Sequence, residues 1–209
     1  RYARRDPVVL ALIASKSTFA IGAGMVSQLP ILATEVFGWG DGGTGLLLGA
    51  RGVGAGLGPL IAARFTRGDL SRVLRVCGWS GIAFSVCYLA AGWAPAFAVA
   101  VAVIAIGHLG GGSQWTLSTY GLQIRTEDRI RGRVMAGDFA IVTLVMSVSG
   151  LGAGVLSEAI GVQWTFTAFS GVAAAAGFAY LALTRPVIAH LQEEAAAEPA
   201  SATAPASAD

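Results

Sequence analysis

Charge is what this sequence has least of. Asp, Glu, Lys and Arg make up 12% of its 209 residues, about half of the roughly 25% usual in a soluble domain. A water-facing surface of ordinary polarity cannot be built from so few. Lipid is the solvent that accommodates the 55% of residues that are hydrophobic. Cysteine is nearly absent too. Cys77 and Cys87 share one apolar segment, about 15 Å apart if it is helical, which is too far to bridge. That excludes a disulfide scaffold and leaves two small packing residues. No H-E-x-x-H pair is present, so zinc hydrolysis has no ligands. No glycine-rich turn runs from a strand into Lys-Ser/Thr, so a phosphate-binding loop is excluded as well. No metal, cofactor or nucleic-acid partner is expected.

What is present is six apolar runs, at residues 8–37, 44–65, 76–93, 97–120, 134–156 and 162–184. Each is near or above the roughly 20 residues that cross a bilayer as a helix. Residues 1–7 form a short basic leader, and residues 185–209 turn polar and end in AAAEPASATAPASAD. That tail has no material for a core and is expected to be disordered. Residue 1 is Arg rather than Met, so the natural chain is expected to continue upstream. Twelve of the 14 basic residues flank the leader, the second and fourth loops, or the end of the sixth run; Lys16 and Arg51 are embedded. The intervening loops, GWGDGG, GWAPA and SEAIGVQ, carry no Lys or Arg. The positive-inside rule then places both termini in the cytoplasm of an inner-membrane, multi-pass protein.

The second run holds Gly49, Gly52, Gly54, Gly56 and Gly58 around Arg51. In water each glycine would cost such a helix about 1 kcal/mol against alanine. In lipid, small residues four apart let helices approach closely. Gly52–Gly56 reads GVGAG, and Gly150–Gly154 in the fifth run reads GLGAG. These are the second helices of two triplets that cross in opposite directions, as in inverted-repeat transporters. Gly52, Gly54, Gly56, Gly150, Gly152 and Gly154 are expected at tight helix contacts.

Six spans in two inverted triplets resemble the C-terminal half of a major facilitator superfamily transporter. The run Thr126-Glu127-Asp128-Arg129-Ile130-Arg131-Gly132-Arg133 before VMAGDFA looks like the segment ahead of the eleventh helix in the drug- and siderophore-exporter branch. It keeps the acids and Arg-Gly-Arg but lacks the branch's proline. Gly58, Arg64, Gly68 and Arg72 echo the superfamily's glycine–aspartate–basic loop, with Ala62 and Ala63 where its aspartate belongs. The resemblance implies an all-α membrane protein, half of a twelve-helix fold. It also implies a secondary transporter that exports a small molecule against protons by alternating access. The partners implied are the lipid bilayer, the substrate, protons and a missing N-terminal six-helix half. An uptake permease or a non-transporting scaffold is the alternative.

An ionisable side chain at bilayer depth costs roughly 2.5–3.5 kcal/mol on insertion scales and needs a reason. Lys16 lies about 13 Å into span one and His108 about 17 Å into span four. Helical spacing puts Lys16, Ala20, Ala23 and Ser27 on one stripe, and His108, Gly111, Gly112, Trp115 and Thr119 on another. The resemblance makes these spans cavity-lining. Lys16, Ser27, Arg51, His108, Gln114 and Trp115 are the substrate-cavity candidates. Snorkelling of Lys16 and a carbonyl bond to His108 are the plainer alternatives. Arg51 either faces the cavity or holds a carboxylate of the other half. Asp138, one turn inside span five, is read with Arg64, Arg131 and Arg133 as a structural cap and gate latch. No enzyme is expected: His108 and Ser113 are about 140° apart around one helix and cannot pair.

Overall fold

Asp6 starts the first helix. Its Oδ1 accepts hydrogen bonds from the N–H groups of Val8 at 2.9 Å and Val9 at 3.3 Å. Pro7, with no N–H to satisfy, takes the first helical position. In the computed structural model, which describes residues 5–202, six helices follow one another. They are α1 Pro7–Val36, α2 Gly40–Thr66, α3 Leu70–Gly92, α4 Phe97–Arg125, α5 Asp128–Ile160 and α6 Val162–Ala202. All six are long and apolar enough to cross a membrane. The shortest, α3 with 23 residues, spans about 35 Å against a hydrocarbon core of about 30 Å. Arg1 and Arg4 of the leader, and residues 203–209, lie outside the described residues.

The joints are local chemistry. Arg67 (φ 48°) and Gly68 (φ 80°) turn the chain out of α2 in left-handed conformations. Asp69 then caps α3, accepting from Ser71 N–H at 2.8 Å and Arg72 N–H at 3.3 Å. Partial burial pushes the Asp69 carboxyl up, but hydrogen bonds from Ser71 and Arg72 and the Arg72 charge outweigh it and hold it below its usual value. Its contribution is therefore present above the unfolded carboxyl's pKa and is lost as pH falls through the folded one. Gly161 (φ 85°) alone separates α5 from α6.

Helix α1 is broken at Ala23 and Gln28 and loosens over Leu32–Val36, where Phe37 N–H reaches back to the Leu32 carbonyl at 3.3 Å. Pro30 sits in this stretch and denies it a donor. At the upper break, Ser149 of α5 repairs the ladder. Its Oγ accepts from Gly24 N–H at 2.9 Å and donates to the Ile21 carbonyl at 2.6 Å. In lipid such freed backbone groups persist only when a neighbour satisfies them.

The packing has a hidden symmetry. α2 lies on α4 as α5 lies on α1; α3 lies on α4 as α6 lies on α1; α3 meets α6, and α1 meets α4. Exchanging the first triplet for the second leaves this pattern unchanged, as two inverted repeats of three helices require. One end of the bundle joins Asp6 to Arg125 at 2.8 Å and packs Ile188 in a cluster with Val8 and Leu12. The other end stacks Trp39 on Phe97 (4.6 Å between ring centroids) and sets Trp93 against Trp164 (5.3 Å). The arginine-bearing loops thus share one end with the start of α1, and Trp39, Trp93 and Trp164 mark the other. α1 is the enclosed helix, with 72% of its most apolar stretch buried, against 22% for α2 and 17% for α5. Those two helices form an open wall.

Several helices extend beyond the apolar runs read from the sequence. α5 begins at Asp128 rather than Val134, and α4 runs to Arg125 rather than Tyr120. Hydropathy marks the part of a helix in lipid, whereas the hydrogen-bond ladder continues into water. The expected disordered tail is helical as far as Ala202. Its Leu, Gln, Glu and Ala residues are strong helix formers, and Val187, Ile188 and Leu191 pack on the cluster at the start of α1.

Candidate functional site

Two apolar clusters fill the two ends of the bundle, one around Leu12, Leu74 and Leu122 and the other around Phe84, Tyr88 and Phe166. Along α1 and α4 the buried polar residues Ser15, Lys16, His108 and Gln114 fall between them. Lys16 is the only lysine in the sequence. Its Nζ is ion-paired with Asp138 Oδ2, and both side chains are almost fully buried, at 4% and 2% exposure. The lysine also lies 5.5 Å from the centre of the Trp115 ring, within range of a cation–π attraction. Asp138 Oδ1 has no hydrogen-bond partner among the described residues.

This corrects the placement of Asp138. Because α5 begins at Asp128, Asp138 is about three turns inside it, beyond reach of the helix's N-terminal dipole. Arg64 and Arg133 are exposed and make no ion pair among the described residues. Arg131 pairs with Asp128 and donates to the Thr126 carbonyl at 3.1 and 3.3 Å, which ties the loop to its own helix.

The second polar group joins α2, α3 and α4. Arg51 Nε donates to His108 Nε2 at 3.1 Å, and His108 Nδ1 lies 3.3 Å from the Tyr88 hydroxyl. An imidazole that accepts at Nε2 carries its proton at Nδ1, so the ring is neutral here and Tyr88 accepts. No carboxylate pairs with Arg51 among the described residues. The helices approach closely enough for this contact because glycines face backbone. A Cβ on Gly54 would collide with the Ala105 carbonyl, one on Gly58 with the Leu109 carbonyl, and one on Gly112 with the Ala55 carbonyl. Gly54 is three residues from Arg51, and Gly112 four from His108, so each lies on the face it serves.

The expectation of tight contacts fails for the other glycines. Gly52, Gly56 and Gly154 meet nothing within 4 Å, Gly150 comes only to 3.9 Å from Ser27 Oγ, and Gly152 to 3.6 Å from Phe169. Gly52 and Gly56 are on the opposite face of α2 from Gly54, about 160° round by helical geometry. On α5, Asp138 and Ser149 bond α1 instead, and with Val142 and Ala153 they are the buried residues of that helix.

A cavity of about 280 Å³ opens beside the Arg51–His108 contact, lined by Phe19, Arg51, His108, Trp115 and Met146 and floored by Gly111 and Gly112. Trp115 separates it from Lys16 and is held edge-on by Phe19 (6.3 Å) and Phe139 (6.4 Å). Arg51, His108 and Trp115 are therefore brought together, with Lys16 behind the tryptophan. Two candidates lie elsewhere. Gln114 is buried against α1, donating to the Ser15 carbonyl at 2.5 Å and Thr18 Oγ1 at 2.9 Å. One residue from Trp115, it points about 100° away. Ser27 is exposed at the α1 break and donates to the Gly24 carbonyl at 2.7 Å.

Sequence reasoning missed Tyr88, Ser149 and Met146. Tyr88 and Ser149 carry a faint signal, a lone polar tip within SVCYLAAG and a serine within MSVSG; Met146 carries none.

The family model described as Major Facilitator Superfamily matches residues 4–207. The chain belongs to that superfamily. No curated protein and no solved structure matches it. As a major facilitator chain it is a multi-pass membrane protein and a secondary transporter, with lipid around it and a small molecule as cargo. Its six helices fit one half of the major facilitator fold.

Proposed function

We propose that the chain is the C-terminal half of a proton-coupled exporter of the drug- and siderophore-exporter kind. On this reading both termini are cytoplasmic, and a separate six-helix half completes the cavity. The observation that carries the reading is the cavity on the open α2–α5 wall, with Arg51, His108 and Trp115 at its surface. Arg51 without a carboxylate favours an anionic or phenolic cargo, which Trp115 would stack against.

Coupling follows from the Lys16–Asp138 pair across α1 and α5. A proton on Asp138 cancels its charge and leaves Lys16 buried without a partner. Breaking such a pair from one side costs about 3–5 kcal/mol, enough to favour parting α1 from α5. Departure of the proton restores the pair and closes them again. Alternating access then needs no other moving charge in this half.

Transport in liposomes by the complete protein tests both assignments. Arg51→Ala should raise KM for an anionic dye about tenfold or more, the loss of one charge-assisted contact, and leave a cationic dye unaffected. Asp138→Asn should abolish uphill, proton-driven movement while preserving exchange across equal proton concentrations. Proton-driven accumulation by Asp138→Asn would refute the coupling.

A further inference from the structure

A second recess lined by basic side chains lies away from the cargo wall. Between α3 and α6, at the arginine-bearing end, lies a cavity of about 450 Å³ lined by Arg75, Trp79, Phe178, Leu181, Arg185 and Gln192. Its floor is the edge-to-face pair Trp79–Phe178, 6.4 Å apart at 85°. Both rings remain more than half exposed, at 59% and 55%. Gly78 lets α3 and α6 approach closely beside the recess, because a Cβ there would press into the Leu181 side chain. Neither Arg75 nor Arg185 forms an ion pair among the described residues.

Depth identifies the occupant. Arg75 and Arg185 each stand one residue outside an apolar run, at 76–93 and 162–184, which is the level of lipid headgroups. Trp79 is one turn deeper on α3, about 6 Å, at the level where acyl chains begin. Deeper on the same face of α3 as Trp79, two turns along, Val86 is exposed too, so the inner part of the recess opens to lipid.

We propose that this recess binds an anionic phospholipid. Its phosphodiester lies between Arg75 and Arg185, and an acyl chain lies over Trp79 and Phe178. Guanidinium groups bind phosphate oxygens through bidentate hydrogen bonds, and basic recesses between spanning helices suit such headgroups. The assignment rests on the membrane-spanning fold and not on the direction or coupling of transport.

The full chain in neutral detergent, titrated with phosphatidylglycerol and followed by native mass spectrometry, tests it. Phosphatidylglycerol should be retained, phosphatidylcholine of the same acyl chains should not, and inorganic phosphate should not displace the lipid. Arg75→Ala with Arg185→Ala should weaken retention roughly thirty-fold, about five-fold for each arginine. Arg129→Ala with Arg133→Ala, the same charge change outside the recess, should leave it unchanged. If the first double variant does not fold, Arg185→Gln alone, at an exposed position, reads the same contrast at about five-fold. Equal losses in both doubles, equal retention of both lipids, or displacement by phosphate alone would overturn the site.

Discussion

Lys16 and His108 stood out in the sequence because charge and imidazole are expensive in lipid. What they bond to was not legible, since partners 122 residues away for Lys16, and 57 and 20 for His108, leave no local pattern. Asp138 shows the difficulty. Its role depended on where α5 begins, and hydropathy put that start six residues late, at 134 instead of 128. The buried pair makes a sharp prediction. Lys16→Met alone or Asp138→Asn alone should destabilise the protein by about 3–5 kcal/mol, whereas the two together should recover most of the loss. Thermal unfolding of the four species closes the cycle. Additive losses in the double variant would mean that the two side chains do not act as a pair.

At the scale of the helix, the glycines of α2 separate into two faces that the sequence shows as one run. Gly54 and Gly58 press on the α4 backbone, while Gly52 and Gly56 meet nothing. Gly54→Leu should therefore cost several kcal/mol or prevent folding, because a side chain cannot share space with a carbonyl. Gly52→Leu should be tolerated by this chain within about 1 kcal/mol. Expression and melting temperature compare them, and equal damage from both would contradict the α2–α4 contact. The GLGAG of α5 matches GVGAG in letters but not in packing, so the repeat was legible and its contacts were not. The break in α1 behaves likewise. The break at Ala23 has no proline to mark it, and only the fold reveals that Ser149 repairs it. Ser149→Ala leaves the Gly24 N–H and Ile21 carbonyl unbonded and should cost about 1–3 kcal/mol. Ser149→Thr, which keeps the hydroxyl, should recover much of that, unless the hydroxyl is irrelevant to stability.

For the whole molecule, span count and charge partition carried most of the fold, because lipid enforces both along the entire chain. An even number of crossings brings the start of α1 and the end of α6 to one end, and the Asp6–Arg125 bond and the Ile188–Val8 packing hold that end together. Eight arginines lie in the last turns of α2 and α4 or just beyond them, at 64, 67, 72, 75, 125, 129, 131 and 133. Translocating such loops is opposed, so that end should face the cytoplasm. Single cysteines placed at exposed positions, in a background with Cys77 and Cys87 replaced, read the orientation directly. Asp41→Cys and Gly161→Cys should react with an impermeant maleimide from outside intact cells. Arg67→Cys and Arg129→Cys should react only after the membrane is opened. Outside labelling at 67 or 129 would reverse the molecule in the membrane, and with it the direction in which protonation of Asp138 could drive export.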